Sequence, residues 1–320
     1  MKALGPHVLE IDLESEAARI ADWMRETTRR LRRKGLVVAM SGGIDSSVCA
    51  ALAVRAVGAA RVQGLLLPER DSSGQSTRLG RLLAGHLGIA HEQHDIAPAL
   101  EAIGCYRDRD AAIRQVFPDY GDGWKNKIVL HGGIDGGINF YKLVVQSPAG
   151  DTREARLPPQ AYLQIVAATN HKQRLRKTLE YYHADRLNYA VVGTPNRLEY
   201  DQGFFVKNGD GSADLKPIAH LYKTQVYAMA RHLGLPEEIC STTPTTDTYS
   251  LPQGQDEFYF ALPYAQMDLA LWAHGQDLPA GDLADALGIP VQRAQAIHAD
   301  IQAKRRAAEY LHAPPARLPA

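Results

Sequence analysis

The residues best suited to chemistry lie in the stretch 41–47, which reads SGGIDSS. Its glycines allow the backbone to approach a bound anion closely, because no Cβ stands in the way. The free N–H groups at the start of a following helix, together with the helix dipole, favour a phosphate there. Asp45 would repel a phosphate directly, so we expect it to hold a divalent cation that bridges to one. The stretch therefore predicts a nucleotide phosphate site that uses a cation.

A second set of polar residues follows between positions 193 and 223. Glu199 and Asp210 are acidic, and Lys223 stands where another helix is expected to begin. Two carboxylates and a lysine near a phosphate loop suit adenylyl chemistry, in which a cation neutralises the triphosphate and the lysine stabilises developing charge. The 41–47 stretch lacks the Gly-Lys-Ser/Thr ending of a Walker loop, which argues against simple γ-phosphoryl transfer.

The elements that must position these groups alternate between strand and helix in the first third of the chain. Strands are predicted at 36–40, 62–67 and 94–96, and helices at 45–57 and 75–87. A further strand at 189–192 follows a predicted helix over 161–185. This order predicts an α/β fold with a parallel sheet and helices on both of its faces. The ligand site is then expected beyond the carboxyl ends of the strands.

Residues 105–160 have a sequence pattern that differs from that of the rest of the chain. Segments at 127–130, 142–146 and 151–157 resemble strands and predict an inserted β-rich flap. The flap contains Gly132-Gly133-Ile134-Asp135, which partly repeats the phosphate loop. No helical pattern follows this copy, so we interpret it as a hairpin loop. Residues 278–312 predict a small C-terminal helical region, and the whole of 1–320 is interpreted as one domain.

Five separated motifs together resemble the NAD synthetase family, a branch of the ATP pyrophosphatases. They are SGGIDS at 41–46, Asn170-x-x-x-Arg174-x-Arg176, the segment from Glu199 to Lys223, Pro244-Thr245-Thr246-Asp247 and Gln255-Asp256-Glu257. The resemblance runs from about 20 to 104 and from about 167 to 312. It implies an adenine nucleotide alpha hydrolase-like fold, with a twisted parallel sheet between two layers of helices.

The resemblance implies a role for each matching residue. ATP is expected at Ser41, Gly42, Gly43, Asp45, Ser46, Ser47, Thr194, Lys223 and Thr245. The second substrate is expected at Asn170, Arg174 and Asp210, and Mg²⁺ at Asp45 and Glu199. Catalysis is assigned to Asp45, Asp210 and Lys223. Arg176 lies about 200° around a helix from Arg174, so we expect Arg174 to contact the nucleotides and Arg176 to pack or to meet another subunit.

The implied reaction joins ammonia to an activated acid. ATP adenylates the nicotinate carboxylate of deamido-NAD, and ammonia then displaces AMP to give NAD. The alternative is a related PP-loop amide ligase acting on a different carboxylic acid in a specialised biosynthetic pathway, and the flap is its main support. A non-catalytic nucleotide-binding protein is a third reading, which the intact Asp45, Glu199, Asp210 and Lys223 disfavour.

The resemblance also implies a homodimer and a source of nitrogen. Glutamine-dependent members use a nucleophilic cysteine, and none of Cys49, Cys105 and Cys240 has an evident setting for that role. We therefore expect free ammonia, or ammonia passed from a separate amidotransferase. A carboxylate at the edge of a loop contributes little to a core, so Asp45→Asn is expected to weaken turnover far more than folding.

Composition excludes several other classes of function. The 36 basic and 36 acidic residues give a net charge of zero, so no overall field attracts nucleic acid or an anionic membrane. No apolar run approaches the ~20 residues that cross a bilayer. Three widely separated cysteines are typical of reduced thiols. The sequence therefore predicts a cytoplasmic protein without a nucleic-acid or membrane partner.

Overall fold

The computed structural model describes residues 4–131, 140–242, 249–252 and 262–318. Its strands are β1 (Leu36–Ala39), β2 (Val62–Leu66), β3 (Ala90–Gln93), β4 (Lys125–His131), β5 (Phe140–Gln146), β6 (Thr152–Arg156) and β7 (Ala190–Val192). Its α-helices are α1 (Leu13–Arg30), α2 (Ile44–Val57), α3 (Gly74–Leu87), α4 (Ala97–Ala102), α5 (Cys105–Arg114), α6 (Pro159–Leu187), α7 (Arg197–Gln202), α8 (Lys223–His232), α9 (Glu237–Cys240), α10 (Tyr264–Gly275), α11 (Ala280–Leu287) and α12 (Val291–His312). The motifs at 132–135, 244–247 and 255–257 lie outside the described residues.

A parallel sheet with the strand order β3-β2-β1-β7 forms the centre, which confirms the predicted fold class. The side chains of β1 alternate between two buried layers. Leu36 and Val38 pack with α1, α2, α3 and α8, whereas Val37 packs with α4, α5 and α6. A strand that is buried on both faces has a continuous run of apolar residues, so β1 could be predicted from the sequence.

The third strand was predicted in the wrong place. It runs from Ala90 to Gln93, ahead of the predicted 94–96, and three of its four residues are exposed. An edge strand needs to bury little, so its sequence, AHEQ, carries no apolar signal. Ile96, which suggested the strand, instead packs beneath the sheet with Val37 and Leu65.

The flap contains an antiparallel sheet in the order β4-β5-β6. All three strand-like segments of the prediction are strands, but the first part of 105–160 is the helix α5. Ile128, Leu143 and Val145 of this sheet pack against α5 and the beginning of α6. The flap is therefore attached to the parallel sheet through α6, which continues from one to the other.

The C-terminal helices α10, α11 and α12 pack together around a third core that includes Leu271, Leu283 and Ile297. Helix α12 returns to contact α7, and Lys207 donates hydrogen bonds to the carbonyl oxygens of Tyr310 and Ala313. No helix within the described ranges combines the length and apolar character that a bilayer crossing requires.

Candidate active site

A cavity of about 1730 Å³ lies beyond the carboxyl ends of the parallel strands. The segments that follow β1, β2 and β7 all reach it, through Ser41, Pro68 and Gly193. Helix α6 and the flap contribute further walls. Pockets for one small ligand usually measure about 300–1,000 Å³, so this cavity has room for two large substrates at once.

Most of the predicted site residues line this cavity. They are Ser41, Gly42, Gly43, Asp45, Ser46, Asn170, Arg174, Thr194, Glu199, Asp210 and Lys223. Ser47 lies behind the wall, where its buried hydroxyl donates to the Gly43 carbonyl oxygen at 2.8 Å and supports the turn. Thr245 lies outside the described residues. The structure thus brings the motifs together, and the role of each residue stays a prediction.

The phosphate loop is a turn held by its own serines. Gly42 adopts a left-handed backbone with φ of +78°, and Gly43 caps the N-terminus of α2. The Gly43 N–H donates to the Ser41 Oγ at 3.3 Å, and the Ser46 hydroxyl donates to the Gly43 carbonyl at 3.0 Å. Gly43 has no side chain that could accept hydrogen bonds from the start of α2. The first backbone N–H groups of α2 are therefore available to an anion.

Gly42 has no room for a side chain. A Cβ there would lie 2.5 Å from the Ser76 carbonyl oxygen, and the positive φ alone costs about 1–2 kcal/mol in an L-residue. We expect Gly42→Ala to displace the loop and to lower the rate of pyrophosphate release by about tenfold or more, since sub-ångström placement matters in such sites. Initial rates with saturating substrates measure this effect.

Gly58→Ala is the matched control for that substitution. Gly58 also has a positive φ, of +84°, but nothing lies near its potential Cβ, and it is remote from the loop at the other end of α2. We expect Gly58→Ala to lower stability by the backbone cost alone and to leave the rate unchanged. Equal rates in the two variants would contradict a requirement for the tight turn.

Asp45 links the phosphate loop to two other motifs. One carboxylate oxygen accepts a hydrogen bond from the Asn196 amide at 3.0 Å, and the other pairs with the Lys223 ammonium. Asn196 caps α7 through a reciprocal capping box with Glu199. Lys223 is fully buried, which by itself would lower its pKa, but Asp45 and Glu199 raise the pKa above its ordinary value. The lysine is therefore cationic at neutral pH.

A buried carboxylate fixes the start of the helix that carries Lys223. Asp268 of α10 accepts hydrogen bonds from the backbone N–H groups of Lys223 and Thr224, at 3.2 and 2.7 Å. Burial raises the pKa of Asp268 to about 6. Neither Asp268 nor Asn196 was predicted, because each acts through another residue of the site. The Asn at the end of a strand–turn segment, three residues before Glu199, is a capping-box signal that could have identified Asn196.

Asp210 also lines the cavity and lies close to a second group of charged side chains. Its carboxylate accepts the Val206 N–H at 2.7 Å, and burial raises its pKa. Nearby, Lys177 pairs with Glu180 at 2.6 Å, and both side chains are buried. Burial also raises the pKa of Glu180, and Asp210 adds to that shift. The two carboxyl groups therefore hold a proton more readily than exposed ones do.

A third buried network was not predicted from the sequence. Lys172 lies between Glu69 and Asp71, with Nζ–O distances of 3.0 and 2.7 Å, and is almost fully buried. Arg109 also pairs with Asp71, at 2.5 Å, and the Tyr106 hydroxyl donates to Glu69 at 2.8 Å. Burial would raise the pKa of Asp71, but Lys172 and Arg109 lower it to about 2. The network fixes the segment after β2 against α6 beside the cavity.

The two arginines of the α6 motif both line the cavity. Arg176 donates to the Leu67 carbonyl oxygen at 3.2 Å, which agrees with the packing role expected for it. Arg174 donates to the Lys207 carbonyl oxygen at 3.3 Å and is more exposed. The expected division of roles stays a prediction, because the cavity borders α6 on more than one side.

The donor set around Asp45 fits the magnesium ion that the resemblance implies. Asp45 and Glu199 both line the cavity beside the phosphate loop, and both act on the same lysine. Hard oxygen donors are the ligands that Mg²⁺ takes in proteins, commonly one or two carboxylates together with substrate phosphates. Such an ion supplies charge neutralisation for a triphosphate when it is bound.

Comparison with known proteins places the chain in a family. A sequence profile described as NAD synthase matches residues 16–115 and 138–308. The NH(3)-dependent NAD(+) synthetase of Rhizobium meliloti is 58% identical over 308 residues, covering 96% of this chain and 92% of the relative. The chain belongs to the NAD synthase family. The NH(3)-dependent NAD(+) synthetase of Mesorhizobium japonicum is 57% identical to this chain, and the alignment covers 96% of this chain and 97% of the relative.

More distant members share the fold. The NH(3)-dependent NAD(+) synthetase of Thermotoga maritima is 35% identical to this chain, and the alignment covers 79% of this chain and 84% of the relative. The solved structure of an NH3-dependent NAD synthetase from Campylobacter jejuni has a TM-score of 0.64 at 20% identity, covering 97% of this chain and all of its own. At that identity the likeness concerns the fold alone.

Proposed function

We propose that this chain is an ammonia-dependent NAD synthase, which converts deamido-NAD, ATP and ammonia to NAD, AMP and pyrophosphate. The observation that supports the proposal is that two groups of charged residues line the same large cavity. The phosphate loop with Asp45 and Lys223 forms one, and the cluster around Asp210 forms the other. A reaction that first activates a carboxylate on a phosphate and then adds nitrogen needs two such centres.

The close relatives favour deamido-NAD over a different acid. The flap was the main support for another acceptor. The relative from Rhizobium meliloti, named as an NAD(+) synthetase, aligns with 96% of this chain, so most of the 105–160 segment lies within that alignment. A flap shared with such a relative no longer argues for a specialised substrate.

In the first step, a carboxylate oxygen of deamido-NAD attacks the α-phosphorus of ATP. The bond from that phosphorus to the bridging oxygen breaks, and pyrophosphate leaves with the electron pair. The backbone N–H groups at the start of α2 bind the phosphates, and Lys223 stabilises the charge that develops on them. Asp45 holds Lys223 in position, and Asp45 and Glu199 would hold the magnesium ion.

In the second step, ammonia attacks the acyl carbon of the adenylate, and the bond from this carbon to the phosphate oxygen breaks to release AMP. The nitrogen must lose protons as the amide forms. Asp210 is suited to accept one, because burial raises its pKa and so makes it a stronger base than an exposed aspartate. Lys177 and Glu180 surround this position with further buried charge.

The cysteines support ammonia as the nitrogen donor. Cys49, Cys105 and Cys240 are all buried. Burial raises the pKa of each thiol, to about 11 for Cys105. A glutaminase nucleophile requires an accessible thiolate, and none of the three provides one. We propose free ammonia, or ammonia from a separate amidotransferase, together with a homodimeric state and a cytoplasmic location.

One assay tests the proposed function. The purified chain is incubated with Mg-ATP, deamido-NAD and ammonium chloride, and NAD, AMP and pyrophosphate are quantified. We expect the three products in equal amounts, and no NAD when glutamine replaces ammonium. Pyrophosphate formed only with another carboxylic acid would overturn the proposed acceptor. NAD formed from glutamine by the purified chain would overturn the proposed nitrogen source.

A further inference from the structure

Two histidines and a glutamate meet on the sheet face that α6 covers, at the edge strand β3. Glu92 pairs in register with Leu65, whose side chain packs beneath the sheet on the α6 side. His94 follows two residues later, and its N–H continues the ladder by donating to the Leu66 carbonyl oxygen at 2.9 Å. Side chains two apart on a strand share a face, so both point towards α6. His183 of α6 meets them there and is almost fully buried.

Two of the distances among these groups are close to those around a tetrahedral metal ion, and the third, from Glu92 to His183, is 3.6 Å and involves the Nδ1 atom of His183. The Nε2 atoms of His94 and His183 are 3.1 Å apart, and the His94 Nε2 is 3.5 Å from a Glu92 carboxylate oxygen. Ligand atoms about 2.0–2.1 Å from a tetrahedral zinc are separated by about 3.3–3.4 Å. One donor atom from each of the three residues lies within 4.8 Å of the others.

We propose that Glu92, His94 and His183 form a site for a divalent transition metal ion of the Zn²⁺ type. Two imidazoles and one carboxylate suit such an ion better than Mg²⁺, which prefers oxygen ligands throughout. The bound ion would join β3 to α6, with a fourth position open to water, and the site lies apart from the residues assigned to ATP and deamido-NAD.

Arg186 occupies the position that controls this site. One of its terminal nitrogens is 2.5 Å from a Glu92 oxygen and 2.9 Å from the Nδ1 of His183. Because Arg186 can only donate, this Nδ1 accepts, and the His183 proton lies on Nε2, where it is donated to His94. Metal binding through Nε2 requires the proton to move to Nδ1. Arg186 must therefore turn away, and its 42% exposed side chain leaves it free to do so.

This arrangement predicts opposite effects for two substitutions. His94→Ala removes a ligand and is expected to weaken Zn²⁺ binding roughly tenfold or more. Arg186→Gln removes the competing donor and supplies a carbonyl oxygen that can accept a hydrogen bond from the Nδ1–H group, so it is expected to tighten binding several-fold. His91→Ala is the matched control, because His91 lies on the same strand in an exposed position on the opposite face.

The experiment is isothermal titration of the tag-free, metal-stripped chain with ZnCl₂, accompanied by the visible spectrum with Co²⁺. We expect one tight site per chain and the absorption bands of four-coordinate cobalt. Both should persist in His91→Ala and be lost in His94→Ala. The absence of a one-to-one event, or unchanged binding in His94→Ala, would overturn the site. Binding in Arg186→Gln that is no tighter than in the wild type would overturn the assignment of the His183 Nε2 as a ligand.

Discussion

Replacing Asp45 with asparagine is expected to lower the rate of pyrophosphate release by about 10²- to 10³-fold, because the proposed mechanism places this preorganised charge next to the reacting phosphates. Asparagine keeps the shape of the side chain and its contact with the Asn196 amide. It removes the negative charge that pairs with Lys223 and that would bind the magnesium ion. Single-turnover measurement with Mg-ATP and deamido-NAD separates this effect from product release.

The same substitution is expected to destabilise the fold, which the sequence alone does not indicate. Lys223 is fully buried, and an ionised group left without its buried partner costs about 3–5 kcal/mol. A double variant, Asp45→Asn with Lys223→Met, removes both charges and keeps a side chain of similar length. We expect it to regain most of the lost stability and to remain inactive. Denaturant unfolding of the two single variants and the double variant measures this coupling.

Asp22→Asn serves as the control for the Asp45 pair. Asp22 pairs with Arg25 on the surface of α1 and is 66% exposed. Exposed pairs contribute about 0–1 kcal/mol, so this variant should match the wild type in both rate and stability. An active Asp45→Asn enzyme would remove Asp45 from the catalytic group. A double variant less stable than both single variants would show that Asp45 and Lys223 do not act as a pair.

Replacing Lys172 with methionine is expected to lower the free energy of unfolding by about 3–5 kcal/mol at pH 7. The substitution leaves the buried carboxylate of Glu69 without its lysine partner. Asp71 loses Lys172 but retains Arg109 and, at 3.7 Å, Arg70. Methionine fills a volume similar to that of lysine, so the loss of stability measures the missing charge and not a new cavity. Urea unfolding followed by circular dichroism gives the free energy of unfolding.

The loss caused by Lys172→Met should shrink as the pH falls. In the wild type the pKa of Asp71 is about 2, compared with an ordinary value of 3.8. This depressed pKa contributes about 2 kcal/mol above pH ~4, and the contribution disappears as the pH falls towards 2. In the variant, protonation of Asp71, which has lost one of its cationic partners, instead relieves part of the destabilisation. The two stability curves are therefore expected to converge on acidification.

Lys142→Met is the control for the buried network. Lys142 pairs with Glu154 at 2.7 Å on the flap, where the glutamate is 56% exposed. We expect a change within about 1 kcal/mol and no convergence with pH. A Lys172→Met protein as stable as Lys142→Met would mean that the buried network contributes little to folding.

The residues that were predictable from the sequence are those whose signal is local. The strand β1, the glycine turn and the start of α2 follow one another within 36–47, so the phosphate loop could be identified without a structure. Glu199 and Asp210 could be predicted because they are acidic residues in a segment otherwise typical of a binding loop. The parallel sheet followed from the order of apolar runs and helices.

The residues that were missed act across long separations in the chain. Asp268 caps α8 from a helix 45 residues away, and nothing in the sequence near it indicates a partner. Lys172 meets its carboxylates from more than 100 positions along the chain. The strand β3 was misplaced because its burial is slight and its residues are polar. In each case the fold, rather than the neighbouring residues, creates the environment.

Helix α6 has a mechanical consequence for access to the cavity. It extends over 29 residues, or about 43 Å at 1.5 Å per residue. Its interior contains no proline or glycine at which a helix bends readily. The antiparallel sheet of the flap thus packs against the beginning of α6, and the parallel sheet packs against the end of the same helix. We therefore expect the two sheets to move together, so that substrates enter by movement of loops and side chains rather than by a hinge between the sheets.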